Sequence, residues 1–301
     1  MKGPLSILTT DKDFGNPWIG NPTANRLGLH VGRILAADAM DRVRWAIHAP
    51  MPQDRKWIET LRQEGVVAIP DFLPSEEFRM VRDEVMGAIT ASLKTHPPRN
   101  NEQQGFGAKE PFGGIGFDRF DGGTLNRFLD LSQERTPSTL SLVKSSRFRR
   151  LYAAAQGRRF PLSAISLYYL RHGPETVHDI QKDFHRDTFH FTVKFWYFMK
   201  AVEPREGPFI YVKGSNRSDR KRLAWEHEQA RTASAVRRGG AFRITEAELS
   251  TLGLPQPTVF TVPENTLVIA DTHGFHRRGD AEIGTERFSI YGGMRRSPFF
   301  L

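Results

Sequence analysis

The chain has 301 residues, of which 39% are hydrophobic and 22 are phenylalanine, so it can build a large core and wholesale disorder is excluded. It contains no cysteine, which excludes disulfides and thiolate metal sites and leaves His, Asp and Glu as the strong metal ligands. Residues 1–15 have no apolar stretch of signal-peptide length, and no window approaches the roughly 18 apolar residues of a membrane span. We therefore expect a cytoplasmic protein.

The net charge of +9 is unevenly distributed. Residues 136–174 contain basic side chains and no acidic one, and a second basic stretch covers residues 213–238. Four interpretations are open: a solvated basic face, an anionic substrate, an anionic membrane surface, or nucleic acid. Nucleic acid has the weakest case, because no recognised motif accompanies the positive charge.

Residues 1–60 are predicted to form a helical N-terminal extension. Between residues 25 and 47, arginines lie between apolar side chains that recur at helical spacing. The apolar side chains are Leu27, Val31, Ile34, Leu35, Val43 and Ile47. Such a helix can lie on a membrane surface, with the protein then peripheral at the inner face of a membrane. More commonly it packs on its own domain.

The next segment begins the predicted main domain, residues 61–301. Residues 65–70 indicate a short strand, and Ser75 is a good N-cap for a helix whose first turn carries Glu76 and Glu77. Residues 93–124 are rich in glycine, proline and polar side chains. A loop of that length is commonly functional, so we interpret it as a lid or a rim of the active site.

The second half of the chain is rich in strand signals. Aromatic and β-branched residues cluster in segments 162–171, 184–198, 208–212, 259–262, 267–270 and 288–291. Residues 219–236 have a helical pattern, and Thr245 with Glu248 forms a capping box before another short helix. The sequence therefore predicts a mainly β fold with flanking helices, a β-barrel or jelly roll, with a helical insertion at about 216–254.

The triplet His185-Arg186-Asp187 is the strongest candidate for a metal site. On an extended segment its imidazole and carboxylate point to the same face. A distant histidine, His273 or His276, can complete two imidazoles and one carboxylate, which leave half of an octahedron open as in non-haem Fe(II) oxygenases. Farther along the chain, Arg287 and Ser289 share one face of a predicted strand, where they can hold the carboxylate of an organic co-substrate.

Several segments together resemble the phytanoyl-CoA dioxygenase family across roughly residues 64–295. Residues 64–85 resemble its N-terminal segment, and His185-Arg186-Asp187 looks like its proximal metal motif. Trp196 and residues 206–216 resemble its Trp strand and Gly-Ser-His turn, although Lys213 stands where proline is usual and Asn216 where histidine is usual. In that family the distal histidine precedes the co-substrate arginine by eleven residues, a spacing that His276 satisfies and His273 does not.

The resemblance implies a cupin-like double-stranded β-helix that holds Fe(II) through His185, Asp187 and His276 as catalytic metal ligands. It also implies that Arg287, with Ser289, binds the C5 carboxylate of 2-oxoglutarate, and that reaction with O2 releases succinate and CO2. Related halogenases have a small residue in place of the carboxylate ligand, so Asp187 favours hydroxylation over chlorination.

Two alternatives keep the fold without this activity: a catalytically inactive relative that binds a ligand, and a cupin-like isomerase or hydrolase with another metal. The second would not need Arg287. The substrate that best fits the positive charge is an anionic or amphipathic small molecule, such as an acyl thioester, a lipid or a saccharide carrying acid groups.

Overall fold

The structure, a computed structural model, describes residues 3–99, 108–157, 164–175, 177–293 and 297–300. Its helices are α1 (Pro22–Arg26), α2 (Leu29–Ile47), α3 (Arg55–Glu64), α4 (Ser75–Thr95), α5 (Pro137–Lys144), α6 (Ser146–Gln156), α7 (Arg220–Val236) and α8 (Glu246–Thr251). Its strands are β1 (Val66–Ile69), β2 (Lys109–Phe112), β3 (Gly116–Asp121), β4 (Thr124–Asp130), β5 (Ile165–Arg171), β6 (Val193–Phe198), β7 (Phe209–Tyr211), β8 (Thr258–Phe260), β9 (Thr266–Asp271), β10 (His276–Arg278) and β11 (Glu286–Gly293). In these ranges, no helix is long and apolar enough to cross a membrane.

The strands form two antiparallel sheets. The larger sheet has the order β1-β9-β6-β11-β5-β4-β3-β2, and the smaller has the order β10-β7-β8. A bridge between His185 and His276 adds the backbone around residue 185 to the free edge of β10. Two such sheets with helices packed outside them confirm the predicted mainly β jelly roll.

Strand β11 shows how the larger sheet separates the helices from the space between the sheets. Phe288 and Ile290 are buried in the main hydrophobic core, which also contains side chains of α4 and α6. Because successive side chains of a strand point to opposite faces, Arg287, Ser289 and Tyr291 turn away from that core. Arg287 and Ser289 therefore share one face of the strand.

Helix α2 turns much of its polar side inward and packs against α7. The guanidinium of Arg33 donates hydrogen bonds to the carbonyl oxygens of Ile7, Thr9 and Asp11 at 2.9, 3.1 and 2.7 Å, which ties the N-terminal segment to the helix. The outer side of α2 exposes apolar side chains, among them Leu35, Val43 and Ile47. The helix thus packs on the rest of the chain, and contact of its outer side with a membrane stays a prediction.

The prediction of one long loop over residues 93–124 was wrong for its described part. Helix α4 continues to Thr95, and residues 109–121 form strands β2 and β3 at the edge of the larger sheet. The glycines occupy tight turns: Gly113, Gly114, Gly122 and Gly123 all have positive φ, the backbone region that glycine adopts readily. Residues 100–107 lie outside the described residues.

Of the two predicted helix N-caps, the one at Ser75 was wrong and the one at Thr245 is confirmed. Ser75 is already the first residue of α4, and the N-cap position is Pro74, which makes no side-chain cap. The capping box of Thr245 and Glu248 is present at the start of α8, with both reciprocal hydrogen bonds. The region predicted as a helical insertion, about 216–254, contains α7 and α8.

Candidate active site

Backbone pairing at the edge of the smaller sheet brings three predicted site residues together. The amides of His185 and His276 each donate to the carbonyl oxygen of the other residue at 3.0 Å, and the amide of Asp187 donates to the carbonyl oxygen of Thr272 at 2.8 Å. One potential ligand atom from each of His185, Asp187 and His276 lies within 4.8 Å of the other two. Residues far apart in the sequence thus converge on one point.

The donor atoms of this group fit a divalent metal ion. The Nδ1 atoms of His185 and His276 are 2.7 and 2.9 Å from the carbonyl oxygens of Asp183 and Gly274, which favours protonation at Nδ1 and leaves the Nε2 lone pairs available. Each Nε2 is 3.8 Å from a carboxylate oxygen of Asp187. Burial, reinforced by His185, lowers the pKa of His276 to about 3, and burial also lowers the pKa of His185. Both imidazoles are therefore neutral, as metal ligands must be.

Two lysines that the sequence did not single out contact the acidic ligand. Lys194 Nζ lies 2.6 Å from Asp187 Oδ2, and Lys12 Nζ donates to the backbone carbonyl oxygen of Asp187. Burial opposes ionisation of Asp187, but the positive charge of Lys194 is the largest opposing cause, and the carboxyl pKa is held well below its ordinary value. The sequence could have indicated Lys194, because it is a charged residue within the aromatic strand β6. No local pattern points to Lys12.

Arg287 borders the same cavity as the three candidate ligands. Its Nε atom is buried and has no hydrogen-bond partner among the described residues. Burial lowers the pKa of its guanidinium to about 10, which still leaves it cationic near neutral pH. An available buried cation of this kind suits the carboxylate of a bound acid.

Ser289 is placed less favourably than Arg287. It is buried on the same face of β11, but its Oγ lies 3.4 Å from the carbonyl oxygen of Tyr168 and it does not border the cavity. Its proposed contact with 2-oxoglutarate stays a prediction. His273, the alternative distal histidine, is buried in a different cavity and is not part of the ligand group.

The cavity has a volume of about 530 Å³ and is strongly cationic. Asp187 is the one carboxylate that borders it among the described residues, whereas the basic side chains are Lys12, Arg119, Lys194, Arg243, Arg277, Arg278 and Arg287. Arg119 and Arg278 are held by carboxylates outside the cavity lining, Asp121 at 2.8 Å and Asp179 at 2.6 Å. Aromatic walls, including Trp196 and Phe209, complete the lining.

A model of the phytanoyl-CoA dioxygenase (PhyH) family matches residues 61–248, more than half of the chain. This chain belongs to that family. Membership confirms the resemblance seen in the sequence. Together with the His-Asp-His group, it identifies Fe(II) and 2-oxoglutarate as the cofactors that accompany this fold, with O2 as the oxidant. The individual ligand assignments remain predictions that the geometry supports.

Several solved structures are similar to this chain at low sequence identity. HygX from Streptomyces hygroscopicus, solved with nickel and 2-oxoglutarate, is 16% identical, with 82% of this chain and 88% of HygX covered and a TM-score of 0.41. The 2-oxoglutarate-dependent epimerase SnoN from nogalamycin biosynthesis is 15% identical, with 80% and 81% covered and a TM-score of 0.44. EctD from S. alaskensis with bound Fe is 11% identical, with 79% and 75% covered and a TM-score of 0.42. No curated protein matches the chain.

The two departures from the family's turn motif have partners in this member. Lys213 Nζ forms an ion pair with Glu64 at 2.8 Å, and Asn216 Nδ2 lies 3.4 Å from the carbonyl oxygen of Arg62. Ser215, which does match the motif, accepts a hydrogen bond from the amide of Phe275 at 2.7 Å. The turn thus still supports the residue that precedes His276.

Proposed function

We propose that the protein is an Fe(II)- and 2-oxoglutarate-dependent hydroxylase of an anionic or amphipathic small molecule, lipid or saccharide. One observation carries this proposal: His185, Asp187 and His276 converge at a cavity that Arg287 also borders, and the buried Nε of Arg287 has no hydrogen-bond partner among the described residues. When bound there, Fe(II) with 2-oxoglutarate and O2 would supply the oxidant for a C–H bond, with release of succinate and CO2. A carboxylate at position 187 supports hydroxylation over halogenation.

The residues of the chain would divide the binding task. His185 and His276 present Nε2 lone pairs, and Asp187 presents an ionised carboxylate whose position is fixed by Lys194. Arg287 would bind the C5 carboxylate of 2-oxoglutarate through parallel N–H donors. Arg278, the nearby cation on β10, is already held by Asp179.

Anaerobic titration with Fe(II) and then 2-oxoglutarate tests the cofactor assignment. We expect a weak visible charge-transfer band in the wild type and its loss in Asp187→Ala and His276→Ala. Arg205→Gln, at an arginine 60% exposed to solvent, is the matched control and should keep the band. An undiminished band in both ligand variants would refute the site. Metal binding without any response to 2-oxoglutarate would favour a cupin-like protein with another metal.

The charge of the cavity supports an anionic substrate. Arg243 is 3.4 Å from Asp183, and Arg277 is 4.0 Å from the well-exposed Asp280, so their charges are only loosely paired. These charges exceed what one 2-oxoglutarate needs, and a substrate acid group would complement them.

Succinate release across a panel of metabolites tests the substrate class. Each acid in the panel is paired with its neutral amide or ester, and we expect stimulation by acids over their neutral partners. Arg243→Gln should raise the KM of a stimulating acid about tenfold while 2-oxoglutarate affinity stays unchanged, because Arg243 borders the cavity and is only loosely paired with Asp183. Equal stimulation by acids and neutral partners would contradict an anionic substrate without affecting the cofactor assignment.

A further inference from the structure

Arg186, the residue between the candidate ligands His185 and Asp187, has a side chain that is firmly held. Arg186 is fully buried, and its Nε and Nη2 atoms donate to the two carboxylate oxygens of Glu226 at 2.6 and 2.7 Å. Its Nη1 donates to the carbonyl oxygen of Gly240 at 2.8 Å. Because Arg186 lies between His185 and Asp187 in the chain, a shift of its side chain would displace both ligands.

Glu226 also reaches the segment that carries the third ligand. Arg222, one turn earlier on α7, donates to Glu226 from Nη2 at 3.0 Å and to the carbonyl oxygen of His273 at the same distance. Arg222 also donates to the carbonyl oxygen of Ser215, whose Oγ accepts from the amide of Phe275. Through two arginines, one carboxylate is thus connected to both parts of the backbone that supply metal ligands.

The same carboxylate joins the N-terminal region to the barrel. His30 on α2 places Nε2 3.0 Å from Glu226 Oε2, and neither side chain is more than 2% exposed. Burial opposes ionisation of Glu226, but Arg186 and Arg222 outweigh it and hold its pKa well below the ordinary value. A buried carboxylate that pairs with two guanidiniums forms an ion network, and the surrounding fold must hold all three groups in fixed positions.

We propose that Glu226 is a positioning residue of the metal centre, which holds the 185–187 and 273–276 segments at the separation that a metal ion requires. It touches neither metal nor co-substrate in this role and acts through Arg186 and Arg222. The inference rests on the proposed function only in that the three ligands bind a metal. Loss of such outer partners in other metal sites weakens metal binding by about 10- to 100-fold.

A second buried arginine–carboxylate pair provides a matched control. Arg127 donates to both oxygens of Asp118 at 2.7 Å, and the pair is at most 5% exposed. Arg127 continues to Ser92 and to the carbonyl oxygen of His96 at the end of α4, on the face of the sheet away from the metal group. In both pairs a buried arginine donates Nε and Nη2 to the two oxygens of one carboxylate, so a substitution at either carboxylate should lower stability.

The experiment compares Glu226→Gln with Asp118→Asn. Urea unfolding of the metal-free proteins reports the structural cost, and Co(II) titration followed by visible absorption reports metal affinity. We expect both variants to unfold at lower urea concentration, but only Glu226→Gln to bind Co(II) about 10- to 100-fold more weakly. Equal Co(II) affinity in Glu226→Gln and Asp118→Asn would overturn the proposal.

A further variant covers the case in which Glu226→Gln does not fold. Arg222→Gln leaves the Arg186–Glu226 pair in place but removes the bonds of Arg222 to Glu226 and to the carbonyl oxygens of Ser215 and His273. Glu226 keeps one guanidinium partner, so this variant should fold and bind Co(II) more weakly than Asp118→Asn. Wild-type affinity in Arg222→Gln would then overturn the proposal. Absence of Co(II) binding in the wild type would instead refute the proposed function, so the two failures are distinguishable.

Discussion

Replacement of Arg287 by glutamine tests the co-substrate site most directly. The change keeps a polar side chain of similar shape and removes the positive charge that borders the cavity. Truncating one partner of a buried charge pair costs about 2–5 kcal/mol. Arg278 is paired with Asp179 at 2.6 Å but still leaves a positive charge near the site after the substitution. We therefore expect a loss of binding free energy in the lower half of that range. With a tenfold change for each ~1.4 kcal/mol, 2-oxoglutarate should bind roughly 30- to 300-fold more weakly.

Calorimetric titration of 2-oxoglutarate into the anaerobic Fe(II) protein measures this change, with Arg205→Gln as the control. The thermal midpoint of the metal-free protein should not fall, because Arg287 is buried and its Nε makes no hydrogen bond to a described residue. A 2-oxoglutarate affinity within twofold of the wild type would remove Arg287 from the site. A large fall in thermal midpoint would show that the arginine supports the fold instead.

Two further predictions concern pH and surfaces. Burial, reinforced by Arg287 and Arg278, lowers the pKa of His172 from 6.5 to about 3, so the unfolded chain binds a proton more readily than the folded one between those values. Stability that is complete above pH 6.5 is therefore lost as pH falls toward 3, by up to about 1.4 kcal/mol per pH unit for this histidine. Urea unfolding at several pH values should show a shallower loss in His172→Gln, and identical slopes would contradict the cause. For the outer side of α2, we predict salt-sensitive sedimentation with anionic vesicles that falls several-fold in the double variant Leu35→Ser/Val43→Ser. Equal recovery in the supernatant with and without vesicles would exclude a membrane contact.

The parts of the site that could be predicted follow from short-range pattern and from spacing. His185 and Asp187 are two positions apart, so an extended backbone is enough to point both in one direction. The spacing of His276 and Arg287 matched a family pattern, and the alternation along β11 gave Arg287 its direction. These inferences needed no knowledge of how the sheets pack.

The parts that were missed depend on contacts between distant segments. Lys12 meets Asp187 across 175 positions, and Glu226 meets Arg186 across 40. The glycines of residues 113–123 were interpreted as one long loop because composition does not show that each pair ends a strand. Helix α2 buries Arg33 and His30, because both side chains find partners that only the folded chain supplies.

The attachment of the N-terminal segment by Arg33 affects where the chain can be shortened for expression. The family match begins at residue 61, which suggests a convenient start for a shortened expression fragment. Such a fragment would lack Arg33, the Lys12 it helps to place, and the imidazole that meets Glu226. It would leave a buried carboxylate and aromatic side chains such as Phe189 and Phe242 facing water. For this chain, residues on the two sides of the boundary of sequence similarity share buried contacts, so that boundary is a poor place to cut.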